Sequence, residues 1–189
     1  MKLLRMTTWT DVFADWKARE GSSPQWHDVA TKVKGWPDWE SWRMFTATQL
    51  GLPDRAWAEY AFSDPATEIP AMLIGPYSGW QARVTRKNDT TFAELISDPA
   101  QLAEWSARPD IVKLGDTMPS PTTMIGLRRP DGRIVLLEGH HRATAVAVAK
   151  AQNRTTTFGN IRIFIADLRP DEGHLLERVL ARGSTKDPK

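Results

Sequence analysis

Ile134-Val-Leu-Leu-Glu138-Gly139-His140-His141-Arg142-Ala143-Thr144-Ala145-Val146 changes character at its glycine. A run of apolar residues, mostly β-formers, precedes Glu138-Gly139, and an alanine-rich segment continues beyond it to Ala151. That pattern predicts a buried strand, a turn at Glu138-Gly139 and a helix starting near His140 or His141. The first helical turn has an unusual composition. A helix N-terminus carries about half a unit of positive charge and about four unpaired N–H groups, so it favours anions. This one receives His140, His141 and Arg142, with only Glu138 as counter-charge. Cβ vectors tilt back toward a helix N-terminus, so Arg142 can return its guanidinium over the turn. Backbone donors, a guanidinium and imidazoles then converge on one small volume, which suits a phosphate. The competing structural reading is a local Glu138–Arg142 ion pair, with both histidines solvated or satisfied in the core.

Outward from this stretch, Pro130-Asp131-Gly132 is a hairpin turn between a strand over 122–127 and the one over 133–137. Residues 160–168 alternate as a further strand, and Pro170-Asp171-Glu172 opens a last amphipathic helix ended by Gly183. On the N-terminal side, 69–74 reads as a strand at a sheet edge because of Pro70, 91–96 as a short helix, and Asp98-Pro99 as the start of another. The pattern over 111–120 is weak and reads as loop. Residues 8–62 read as four helices, the last over 55–62. Six of the nine tryptophans precede residue 43. Trp39, Trp42 and Phe45 recur at helical spacing, as a core face does, and the alternative is a base-stacking platform. Basic and acidic side chains mix on the polar faces, so no basic groove emerges. The expected organisation is a helical N-terminal region over 1–65, a mixed α/β domain over 66–183, and a disordered tail over 184–189.

The motif Gly139-His140-His141-Arg142-Ala143-Thr144-Ala145 resembles the Gly-x-x-Arg-x-x-Ala signature of the ParB/sulfiredoxin-like superfamily. It is most similar to the Asp-Gly-His-His-Arg variant of the free-serine kinases in that superfamily, with Glu138 in the Asp place. The resemblance spans 69–168 and implies a small mixed-sheet domain whose turn and helix start bind the phosphates of ATP, ADP or CTP. Gly139, His141, Arg142 and Thr144 are then the expected phosphate contacts. Gln81 and Arg83 fit the Gln-x-Arg that follows the superfamily's first strand and proline-containing loop. Glu68 stands near the place of the kinases' catalytic glutamate. Sulfiredoxin chemistry is excluded, because His140 stands where its reactive cysteine belongs and the chain has no cysteine. The DNA-partition branch has Gly-Glu-Arg-Arg and a following helix-turn-helix, for which the chain beyond residue 168 is expected to be too short.

Phosphoryl transfer needs phosphate donors, a metal and a base that takes a hydroxyl proton. Glu138 can supply a Mg²⁺ contact, His140 or His141 can meet the transferred group, and Glu68 is the candidate base. The expected activity is phosphoryl transfer to a small hydroxyl acceptor, or nucleotide hydrolysis. The alternative is a non-catalytic nucleotide-binding switch whose N-terminal helices dock a protein or nucleic-acid partner. A conventional P-loop, a Gly-x-Ser-x-Gly elbow and a His-Glu-x-x-His metal motif are absent from the sequence. At 189 residues, with 41% hydrophobic and 25% charged residues and net charge +2, the composition is that of a globular protein. It gives no argument for nucleic-acid binding. No apolar run reaches roughly 18 residues and no signal-peptide core stands near Met1, so no membrane span and a cytoplasmic location are expected.

Overall fold

The computed structural model describes residues 1–154 and 158–187 and has a mixed α/β fold. Its strands are β1 (Lys2–Thr7), β2 (Trp57–Ala61), β3 (Thr122–Arg128), β4 (Ile134–Glu138) and β5 (Ile161–Asp167). They form one sheet in the order β1-β2-β5-β3-β4. β3 and β5 run parallel, with Ile125 opposite Phe164, and the other neighbours are antiparallel. Alternation along the central strands explains why helices cover both faces. Ile125, Leu127, Val135, Leu137, Phe164 and Ala166 join one core, while Met124, Ile134, Leu136, Ile161, Ile163 and Ile165 join the other.

The first core is closed by α1 (Trp9–Glu20), α2 (Pro24–Asp28) with a π-helical turn over Val29–Val33, α3 (Trp39–Gln49) and the C-terminal helix. Thr8 caps α1 by accepting from Asp11 N–H, and Asp38 caps α3 by accepting from Ser41 N–H. Trp9, Val12 and Trp16 then recur on one face of α1, all buried. Trp39 packs edge-on against Trp16 with ring centroids 5.5 Å apart, and Trp9 reaches Trp57 of β2 at 5.5 Å. The tryptophan stripe is therefore largely core.

The second core lies under α4 (Pro65–Glu68), α5 (Ser78–Gln81), α6 (Phe92–Ser97), α7 (Pro99–Ser106), α8 (Pro109–Asp116) and α9 (His140–Ala151). Ala143, Ala145, Ala147 and Ala149 of α9 are all buried, their small side chains allowing close approach to α6 and α8. A short 3₁₀ turn then leads into α10 (Gly173–Arg182), whose Leu176 and Val179 close the first core.

Several expectations are corrected. The first 65 residues are not all helical: Lys2–Thr7 and Trp57–Ala61 are strands, and β2 pairs with β5, so these residues share the sheet of the remainder. Residues 69–74 form no full strand. Only Leu73 bridges, to Val135 and Thr91, because the chain has just left α4 and turns again at Gly75. Residues 109–116 form a helix where loop was expected, with Pro109 in its first turn. Of the expected tail, 184–187 is held: Trp36 Nε1 donates to Ser184 O at 2.9 Å, and Lys186 N–H to Lys34 O at 2.8 Å. Residues 188–189 lie outside the described residues.

Candidate functional site

β4 delivers the chain to Gly139, whose φ of +104° lies in the left-handed region. A Cβ there would also stand 2.8 Å from Met124 Cγ. Glycine is therefore required twice over, by conformation and by contact. α9 starts at once, with no side-chain cap and no acidic residue in its first turn. Its early N–H groups are thus left to whatever the turn faces.

The turn faces a cavity of about 660 Å³. Leu137 to Arg142 form one wall, Trp16, Arg19 and Glu20 of α1 another, with Trp26, Lys34, Trp42 and Arg43 beside them. The loop from Pro76 to Trp80, Pro121 with Thr122, and Gly183 with Ser184 add to the lining. Its charged lining is four cations, Arg19, Lys34, Arg43 and Arg142, against two carboxylates, Glu20 and Glu138.

Glu138 is buried between two guanidiniums. Arg142 Nη2 donates to Oε1, and Arg19 Nη1 donates to Oε2 at 3.0 Å. Burial alone would raise its carboxyl pKa, but the charges of Arg142 and then Arg19 outweigh that and hold it below the usual carboxylate range. Arg142 also donates through Nη1 to Thr122 Oγ1 and, at 2.9 Å, to Thr123 O. It therefore fastens the turn to β3, while Arg19 fastens the turn to α1. The local Glu138–Arg142 pair is present, and it belongs to a three-residue network across the sequence. Glu138 does not suit magnesium in this arrangement. Each of its oxygens already accepts from a cationic donor, and the two guanidiniums would repel a divalent ion at the same carboxylate.

The two histidines divide. His140 is buried among Trp80, Tyr77 and Phe92, with centroid distances of 4.9, 5.4 and 5.7 Å. Its Nε2 accepts from Gly75 N–H at 3.1 Å, which assigns the ring proton to Nδ1. Burial drives its pKa down to about 3, so it is neutral and structural. Gly75 must be glycine for this contact, because a Cβ would fall 2.1 Å from Leu136 O. His141 stays at the cavity, its Nδ1 3.4 Å from Asp110 Oδ2. Burial lowers its pKa, and Asp110 pulls the other way without cancelling the shift. His141 is thus a neutral imidazole beside a carboxylate.

The structure brings Glu138, Gly139, His140, His141 and Arg142 together at the cavity and leaves the other expected site residues elsewhere. Glu68 accepts from Ser63 and Asp64 N–H at 2.7 and 2.9 Å and pairs with the Met1 amine. Its neighbour Thr67 meets Lys150, at the far end of α9, so Glu68 is no base for this turn. Gln81 is buried and staples the loop, donating to Ile74 O and Gly75 O and accepting from Asn88 N–H. Arg83 pairs with Glu104 at 2.6 Å and lies over Trp105. Thr144 is fully buried and donates to His140 O within α9. Arg19, Lys34, Arg43 and Asp110 were not anticipated. Nothing local marks them, because each meets the site only through tertiary packing.

No protein-family model, curated protein or solved structure matches the chain.

Proposed function

We propose that the chain binds a nucleoside phosphate in this cavity, with phosphate oxygens on the N-terminus of α9, and transfers or hydrolyses a phosphoryl group beside His141. One observation carries the reading: an uncapped helix start without acidic residues opens on a cavity where cations outnumber carboxylates. The volume of about 660 Å³ falls within the range of small-molecule sites. Half-buried Trp26 and Trp80 offer ring faces on which a base can rest. The resemblance of the Gly139–Ala145 motif to ParB/sulfiredoxin-like phosphate-binding turns agrees with this placement.

Phosphoryl transfer asks a protein mainly for positioning and charge stabilisation. The helix terminus and Arg142 would meet the phosphate charge, and the Thr122 and Thr123 contacts keep the guanidinium in place. His141, neutral beside Asp110, would take the proton of the attacking hydroxyl or water, and Asp110 would stabilise the resulting imidazolium. The Arg19–Glu138–Arg142 network favours a second reading. A phosphate competing for the Arg19 guanidinium would loosen α1 from the turn, making a non-catalytic switch.

Calorimetric titration with ATP, ADP and CTP in the presence of Mg²⁺, followed by phosphate-release assays over a panel of small alcohols, tests both. Binding with turnover that falls at least about 10²-fold in His141→Ala supports transfer. Binding without turnover leaves the switch. No binding of any of the three nucleotides overturns the proposal.

A further inference from the structure

The cavity lining carries a second group of cations, Lys34 and Arg43, contributed from outside the Gly139 turn. Arg43 projects from α3 into four indoles, its guanidinium carbon 3.9 Å from the Trp42 ring centroid, 4.8 Å from Trp16, 5.3 Å from Trp26 and 5.8 Å from Trp39. Of the guanidinium donors, Nη2 reaches Glu20 Oε2 at 2.7 Å, and Glu20 also accepts from Trp39 Nε1 at 3.3 Å. Among the described residues, Arg43 Nη1 has no acceptor, and Arg43 Nε and Trp16 Nε1 are buried without one. Lys34 lines the same end and has no carboxylate within ion-pair distance among the described residues. Its pKa is lowered by burial and then by the charge of Arg43, so the two cations repel across this space.

Unmet donors beside an uncompensated ammonium are costly, and an anionic acceptor relieves both costs together. The backbone of Lys34 is fixed, since its carbonyl accepts from Lys186 N–H, and Ser184, held by Trp36, closes the wall next to it. The aromatic walls lower the local dielectric on their side and so strengthen the field at this end.

We infer that the Lys34–Arg43–Trp16 end of the cavity is an oxyanion subsite that takes a carboxylate or phosphate group. It shares the cavity with the proposed nucleotide site but does not depend on it, because no residue of the Gly139 turn contributes. The group belongs either to the same nucleotide or to a second small anion bound beside it.

Indole N–H resonances read the subsite directly, with Trp16→Phe assigning the Trp16 signal among the nine tryptophans. Inorganic phosphate is titrated into the full chain while the Trp16 indole and the amides of Gly139 to His141 are followed. The expected result is a saturable shift of the Trp16 indole, weakened about tenfold or more in Lys34→Met and restored in Lys34→Arg. Repeating the titration with ATP-saturated protein separates the sources. A Trp16 signal that still responds indicates a second anion, and one already shifted by ATP indicates the nucleotide itself. Amide shifts at Gly139 to His141 without any Trp16 shift overturn the subsite and leave the helix site standing. A Trp16 shift without amide shifts supports the subsite and counts against the helix site. A Trp16 shift unchanged in Lys34→Met also overturns it, because the anion is then held elsewhere.

Discussion

Replacing Arg142 by alanine removes the stronger of the two charges that hold Glu138 ionised in the protein interior. Glu138 keeps about 7% side-chain exposure and would retain only Arg19, itself shared with Asp15. The same substitution frees Thr122 Oγ1 and Thr123 O of their donor. Breaking one side of a buried ion pair costs about 3–5 kcal/mol, chiefly because the remaining charge stays buried without compensation. For a chain of this size that corresponds to a melting temperature lower by about 6–20 °C. The pH dependence supplies an internal check. Glu138 has a depressed pKa in the folded state, so its stabilisation is full above the unfolded carboxylate value, about 4.3, and is lost as pH falls through the folded value. In Arg142→Ala the folded pKa rises, so the gap between wild type and variant is widest near neutrality and narrows below about pH 4. Urea unfolding at pH 7 and again in acid measures both quantities. A cost under about 1 kcal/mol at pH 7, or a gap that does not change with pH, would refute the role given to the Arg19–Glu138–Arg142 network.

Other perturbations probe separate parts of the account. Trp39→Ala, at a 3%-exposed core position, should cost about 3–5 kcal/mol in denaturant titrations, whereas Trp26→Ala should leave stability within about 1 kcal/mol and weaken nucleotide binding. The reverse ranking would place Trp26 in the core and Trp39 on the cavity wall. His140 titrates near 3 when folded and near 6.5 when unfolded, so its contribution is complete above about pH 6.5 and declines by about 1.4 kcal/mol per pH unit on acidification toward 3. His140→Gln should flatten that slope, and curves that stay parallel to wild type would show that His140 is not buried neutral. Gly139→Ala, forced to φ +104° against Met124, should lose about 1–3 kcal/mol, and a variant as stable as wild type by thermal melting would contradict the turn geometry.

What could be read from the sequence were features whose cause is local. The apolar run ending at Glu138-Gly139, the Pro130-Asp131-Gly132 turn and the alternation over 161–167 each specify their own conformation, and β4, α9, the hairpin and β5 stand where those patterns put them. β2 could not be read in this way. Trp57–Ala61 is short and carries Glu59, whose charge is met by Arg5 on β1 and Arg162 on β5 once the three strands pair. β1 lies at the sheet edge with Leu3, Leu4 and Met6 exposed, so no buried alternation marks it. At the site, the cation cluster of the turn was legible, but its consequence depended on residues far along the chain. Arg19 is 119 positions from Glu138, and Asp110 reaches His141 from another helix. The two adjacent histidines look alike in sequence. Only packing separates the one buried against Gly75 from the one left at the cavity.

A crystal structure of the full chain grown with Mg²⁺ and ATP, ADP or CTP decides whether the start of α9 holds phosphate. The account predicts phosphate oxygens within hydrogen-bond reach, about 3 Å, of the backbone N–H groups at the start of α9, with His141 beside them. Nucleotide density at any other place on the protein, or a Gly139 turn left without phosphate at saturating ligand, would contradict it.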